Sequence, residues 1–200
     1  MKYVVYDTTV PQDKRQDTNE KLLYLIDNGK TSEYGISGDD IYNLYTGDGG
    51  LHGLRRQDYE NYASYSEAKK EIENGQFFTP PLICRLVAEA LSPPADAAVA
   101  DLTCGAGAFF NFMPVENNLY GCELDIKAYK VAKYLYSRAN LVNSDIRSYQ
   151  PSTRFDYIVG NPPYNLRWWV ADSTEELSQL YYCWKAAELL KPFGILAIIV

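Results

Sequence analysis

The sequence predicts an α/β fold: a doubly wound, mostly parallel sheet with an α-helical amino-terminal segment in front of it. Three observations predict it. From Gln76 onward, short apolar runs alternate with amphipathic stretches of helical length, the pattern of a parallel sheet covered on both faces. A Gly-rich turn follows the first of those runs, at Cys104-Gly105-Ala106-Gly107. Acidic residues, Asp101, Glu123 and Asp145, close three successive runs. We divide the chain into a helical segment, residues 1–75, and a core, residues 76–200.

Each element has its own signals. Lys2–Tyr6 reads as a short strand. In "DTNEKLLYLIDNGK", Asp17 and Glu20 make a capping box, Leu22, Leu23 and Ile26 share a face, and Gly29 is the stop. In "SGDDIYNLYTG", Ser37 is the expected N-cap with Asp40 three residues on. Residues 54–74 read as a longer charged helix. Pro80-Pro81 opens "PPLICRLVAEAL", with proline in the first turn where a missing N–H does no harm. Then come the strand "AAVADLTC", a helix opening at "GAGAFFNFM", the strand "NLYGCE" and the helix "DIKAYKVAKYLYSRA". "NLVNSD" and "FDYIVG" are the third and fourth strands. "STEELSQLYYCWKAAELL" is read as a helix capped by Ser173 or Thr174, and "GILAIIV" as the fifth strand. The chain ends inside that apolar run, which leads us to expect a longer parent protein.

Bulk properties narrow the function. A net charge of −7 and a pI of about 4.8 argue against this piece gripping nucleic acid by its own field. The four cysteines form no CxxC pair and sit in apolar elements, as buried thiols of a reducing compartment do. The single histidine, His52, has no nearby cysteine, so no metal site is expected. No signal peptide and no membrane-length apolar run is visible, and we expect a cytoplasmic protein.

Strand carboxyl ends are where open α/β sheets bind ligands. Gly105 and Gly107 let a ligand approach the backbone. Asp101 beside that turn repels phosphate and suits a cationic or zwitterionic group. Glu123 ends the second strand, where a carboxylate bonds ribose hydroxyls. Asp145 ends the third and can accept from the exocyclic amine of adenine. Amino acid, ribose, adenine and sulfonium are joined in S-adenosylmethionine, which we take as the expected cofactor.

The fourth strand ends in Asn161-Pro162-Pro163-Tyr164. An amine on an aromatic base is a poor nucleophile because its lone pair is delocalised. Two acceptors aimed at its N–H bonds draw the nitrogen toward tetrahedral geometry. Asn161 offers a side-chain carbonyl, and Pro162 a main-chain carbonyl held at fixed φ. Tyr164 offers a face for stacking a planar base.

These motifs together resemble those of the S-adenosylmethionine-dependent amino-methyltransferases, most closely the gamma-like N6-adenine DNA methyltransferases. The resemblance covers residues 75–200. "GQFFTPPLICRLVAEAL" is similar to the family's amino-terminal cofactor motif, which implies Phe78, Thr79 and Pro80 beside the methionine end. "DLTCGAGAFF" resembles the Gly-rich motif, with Leu102-Thr103 where many relatives carry Pro-Ala. "GCELD" implies Glu123 on ribose and Leu124 against adenine; "NSDI" implies Asp145 and Ile146 there too. NPPY resembles the catalytic tetrad, Asn161 through Tyr164. The implied fold is a Rossmann-like methyltransferase core, incomplete at its carboxyl end. The implied reaction is methylation of adenine N6 in DNA, with the base flipped, as in restriction-modification systems.

The resemblance also implies a target-recognition region outside this chain, so DNA contact would lie mostly elsewhere and the isolated chain could be inactive. Trp168 and Trp169 are candidates for lining the base pocket. Methylation of protein glutamine or of RNA adenine uses the same corner chemistry, and a non-catalytic binding domain is the alternative of another class. An exposed fifth strand could pair with a second copy.

Overall fold

The computed structural model describes residues 12–46, 57, 59–66, 78–114, 118–164, 166–170 and 174–200. The expected strand at Lys2–Tyr6 lies outside the described residues, as does most of the expected 54–74 helix, of which 62–66 is helical.

Helix α1, Gln12–Asp27, starts earlier than expected, so Asp17 lies inside it and is not its cap. The upstream Gln, Lys and Arg residues are good helix formers and extend the run. Gly29 stops the helix at a φ of +65°. Helix α2, Gly38–Thr46, carries the expected box: Asp40 N–H donates to Ser37 Oγ (3.1 Å), and Ser37 N–H donates to Asp40 Oδ2 (2.8 Å). Helix α3, Pro81–Leu91, begins at proline and ends at Ser92, φ 42°.

Strand β1, Ala98–Asp101, is buried throughout. The helix expected after the Gly-rich turn is only a 3-10 turn, Phe109–Phe112. Pro114 explains this, because the residue before a proline is pushed out of the helical region, and Met113 is extended (φ −81°, ψ 149°). Strand β2, Asn118–Glu123, helix α4, Ile126–Leu135, strand β3, Asn140–Asn143, and strand β4, Phe155–Gly160, follow. Asp125 caps α4 by accepting from Ala128 N–H at 2.7 Å.

A hairpin was not expected next. Strand β5, Arg167–Val170, pairs antiparallel with β6, Thr174–Leu177, so helix α5 starts at Ser178 and runs to Leu189. Thr174 opens β6 and does not cap the helix, and Ser173 lies outside the described residues. Strand β7, Leu190–Ile198, ends the order.

The sheet order is β3-β2-β1-β4-β7, and every neighbouring pair is parallel. The chain winds from β1 toward β3, then returns to the other side of β1. The switch point therefore lies between β1 and β4. Alternate residues serve opposite faces: Val99 and Val159 join one apolar cluster, Ala100 and Ile158 the other. Leu22, Ile41 and Tyr45 of the amino-terminal helices belong to the same cluster as Val99 and Val131. Among the described residues no helix is long and apolar enough to cross a membrane.

Candidate active site

Asp101 ends β1 and is 2% exposed. Its Oδ1 accepts from Thr103 N–H at 3.0 Å. Burial nonetheless pushes its pKa up to about 8, opposed by that bond and reinforced by the charge of Glu123. Glu123, at the end of β2, accepts from Gly105 N–H (2.7 Å) and from Asp125 N–H (2.8 Å). Its pKa is also raised by burial, which the two N–H bonds counter. Among the described residues no cation pairs with either carboxyl, an arrangement that favours a positively charged ligand.

The Gly-rich turn is built for close approach. Gly105 has a φ of +54° and Gly107 of +86°. A Cβ on Gly107 would lie 2.5 Å from the Tyr136 ring. Phe78, buried, packs edge-on to Tyr45 at 5.5 Å between centroids and lies over Gly105.

Two narrow cavities meet here. One, about 30 Å³, is bordered by Phe78, Thr79, Asp101, Gly105, Asn161 and Pro163. The other, about 100 Å³, is bordered by Leu124, Ser144, Asp145, Ile146, Leu166 and Trp168. Thr103, Glu123 and Pro163 border both. A roomier cavity of about 500 Å³ lies at the opposite end of the sheet, beside Asn118 and Asn140 where β2 and β3 begin. It holds none of the site residues predicted from the sequence.

The structure brings NPPY to this crevice. Asn161 and Pro163 border it, and Pro162 is buried beneath. The Tyr164 hydroxyl donates to Asn161 Oδ1, so this side chain holds the amide by its hydroxyl. Ser178 at the start of α5 donates to the Pro163 carbonyl. Among the described residues nothing donates to the Pro162 carbonyl. Pro80, exposed at the N-cap of α3, and Gly107 border neither cavity.

Asp145 is less free than its place suggests. Arg147 Nε donates to both of its oxygens, at 2.9 and 3.0 Å, and this pairing holds its carboxyl below the usual range. Arg147 Nη1 also reaches the Trp169 carbonyl at 3.3 Å, which ties the hairpin to the end of β3. Trp168 borders the second cavity and packs edge-on to Tyr181 at 5.8 Å, whereas Trp169 is largely exposed. Sequence reasoning missed Thr103, Arg147, Ser178 and Tyr182. Arg147 had a signal, since a cation two residues from an acid at a strand end can fold back on it. Tyr182 had none. Among the described residues no His, Cys, Asp or Glu cluster is placed to hold a metal.

The family model for N-6 DNA methylases matches residues 57–188, most of the chain. The chain belongs to that family. The type II methyltransferase M.CvrRI of Paramecium bursaria Chlorella virus XZ-6E is 29% identical over 102 residues, 50% of this chain and 27% of that protein. M.HincII of Haemophilus influenzae is 26% identical over 102 residues, 51% of this chain and 19% of its own length. The matched stretch is thus about a quarter or less of these curated relatives. Two solved structures share the fold. A type I restriction-modification methyltransferase subunit from Streptococcus thermophilus has a TM-score of 0.53 at 18% identity, covering 99% of this chain and 56% of that one. A class I S-adenosylmethionine-dependent methyltransferase from Listeria monocytogenes has a TM-score of 0.52 at 15% identity, covering 92% and 73%. The core of this N-6 DNA methylase family member is therefore Rossmann-like, as expected.

Proposed function

We propose that this chain carries the cofactor-binding and catalytic core of an enzyme that methylates adenine N6 in DNA, using S-adenosylmethionine. One observation carries the reading: Asn161 and Pro163 of NPPY border the same cavity as Asp101 and Gly105. Residues 76–200 form that core and residues 1–75 the helical segment in front of it.

The residues present fit the cofactor. Asp101, buried and without an ion-pair partner among the described residues, suits the ammonium of its amino-acid part. Glu123 borders both cavities, where a ribose between methionine and adenine would lie. Leu124, Ile146 and Trp168 give the second cavity apolar walls for the adenine ring. Asp145 can serve the adenine amine only while sharing its oxygens with Arg147. When bound, S-adenosylmethionine supplies an electrophilic methyl on a sulfonium.

Asn161 Oδ1 and the Pro162 carbonyl accept from the two N–H bonds of the target amine. Tyr164 keeps the Asn161 oxygen in place through its hydroxyl. As the amine nitrogen takes the methyl carbon, whose bond to the sulfonium sulfur would break to leave a neutral thioether, positive charge develops on N–H bonds already aimed at two oxygens, and one proton then leaves to water. Rate comes from positioning and preorganised dipoles. A net charge of −7 supports a reading in which most of the phosphate grip lies on surfaces outside this chain.

The test is methyl transfer to duplex DNA from labelled S-adenosylmethionine, with the nucleosides separated after digestion. N6-methyladenine formed by the chain and lost in Asn161→Ala supports the reading. Label confined to a glutamine-bearing peptide, or to RNA, contradicts it.

A further inference from the structure

We propose that Tyr182 is a positioning residue that holds the β1–β4 crevice open, its hydroxyl wedged into the sheet between Leu102 and Val159. The inference rests on reading that crevice as the S-adenosylmethionine site.

Tyr182 lies on α5 and is 0% exposed. Its hydroxyl accepts from Leu102 N–H at 3.1 Å and donates to the Val159 carbonyl at 2.7 Å. Those partners are the two groups of one sheet rung. The β1–β4 register pairs Ala100 with Ile158 and Asp101 with Val159. Evenly spaced parallel bonding would next bring Leu102 N–H onto the Val159 carbonyl. A phenol oxygen stands between them instead.

The neighbouring β4–β7 pair behaves differently. Beyond β4, Ile199 N–H donates directly to the Gly160 carbonyl at 3.0 Å. On the other side of β1 the register would put Thr103 N–H on the Cys122 carbonyl, but that carbonyl takes Cys104 N–H at 3.0 Å while Thr103 N–H turns to Asp101 Oδ1. The rung is replaced at the switch point, where an α/β sheet must part to admit a ligand. The β4–β7 pair keeps its rung.

Gly160 completes the device. A Cβ there would lie 2.1 Å from the Tyr182 hydroxyl oxygen and 3.2 Å from Asp101 Oδ1. Its bare Cα lets the phenol and the carboxyl come together directly before Asn161. A tyrosine that merely filled the core could do so as phenylalanine. This one satisfies a donor on one strand and an acceptor on the next, so removing its oxygen lets those two groups meet and the crevice narrow.

The experiment is calorimetric titration of S-adenosylmethionine into the chain, Asp101→Ala and Tyr182→Phe, with folding checked by circular dichroism. The fitted stoichiometry reports the folded fraction, and the dissociation constant reports the crevice. We expect Tyr182→Phe to keep the parent stoichiometry while its dissociation constant rises about tenfold. Amide exchange should show Leu102 N–H more protected in that variant, as a direct rung requires. Gly160→Ala, which displaces the hydroxyl but keeps the ring, is the second variant and should weaken binding at least as much. If Asp101→Ala weakens binding while both Tyr182→Phe and Gly160→Ala retain the parent constant, the wedge is wrong and the cofactor site stands. A lowered melting temperature with an unchanged constant also overturns it, since that is a purely structural role. A folded parent chain that binds no S-adenosylmethionine overturns both.

Discussion

Gly105 N–H donates to Glu123 at 2.7 Å, joining the Gly-rich turn to the end of β2. The second oxygen of Glu123 takes Asp125 N–H, so one carboxylate holds both the turn and the entrance to α4. This double duty makes the residue sensitive to a change of one atom. In Glu123→Gln the amide presents donors to one of two N–H donors. We expect binding of S-adenosylmethionine to weaken by about tenfold or more, read by titration. A glutamine variant that binds like the parent would show that Glu123 does not face the ribose.

Asp101 gives the site a pH dependence. Burial raises its pKa to about 8, so at pH 6 it is protonated in the folded chain and ionised in the unfolded one. Its contribution to stability is therefore fully present in acid and is lost as pH rises from the ordinary carboxylate range through 8. A cationic ligand prefers the ionised form, so cofactor affinity should rise with pH toward 8, by about tenfold per unit. Calorimetry near pH 7 in buffers of different ionisation enthalpy should show net proton release on binding. Proton uptake, or none, would contradict this.

Asn161 and Tyr164 should separate binding from chemistry. Asn161→Ala removes an acceptor at the amine, and the expected loss in kcat is roughly 100-fold or more, with cofactor affinity within a factor of about two. Tyr164→Phe frees the amide but leaves it in place, so its loss should be smaller, about tenfold. Equal losses in the two variants would place Tyr164 in direct contact with the base instead.

Arg147→Ala tests the hairpin tether. The Asp145 pair is partly exposed, so global stability should change by less than about 1 kcal/mol. Without the bond to Trp169, limited proteolysis should cut sooner between Leu166 and Leu177. The Asp145 carboxyl should also titrate higher, closer to its ordinary range. Unchanged cleavage would mean that the hairpin is held without Arg147, by Trp168 against Tyr181 and by Ser178.

Strands were legible wherever an apolar run had polar ends. "NLYGCE" and "FDYIVG" form strands over those same residues. "STEEL" misled because its Ser-x-x-Glu pattern imitates a capping box. In the folded chain Glu175 and Glu176 pair across the hairpin with Trp169 and Trp168, and partners from a distant segment leave no local signal. The same limit hid Tyr182, whose two partners lie on strands about 80 and 23 residues away. The acids were readable because strand ends are marked locally. The Arg147 grip on Asp145 depends on a turn, Ile146–Ser148, whose shape periodicity does not encode.

The most direct test of the central claim is titration of S-adenosylmethionine into this chain, Asp101→Ala and Glu123→Ala. The account predicts saturable one-to-one binding by the parent, weakened in both variants while they remain folded. Equal affinity in all three would place the cofactor away from the ends of β1 and β2 and contradict it.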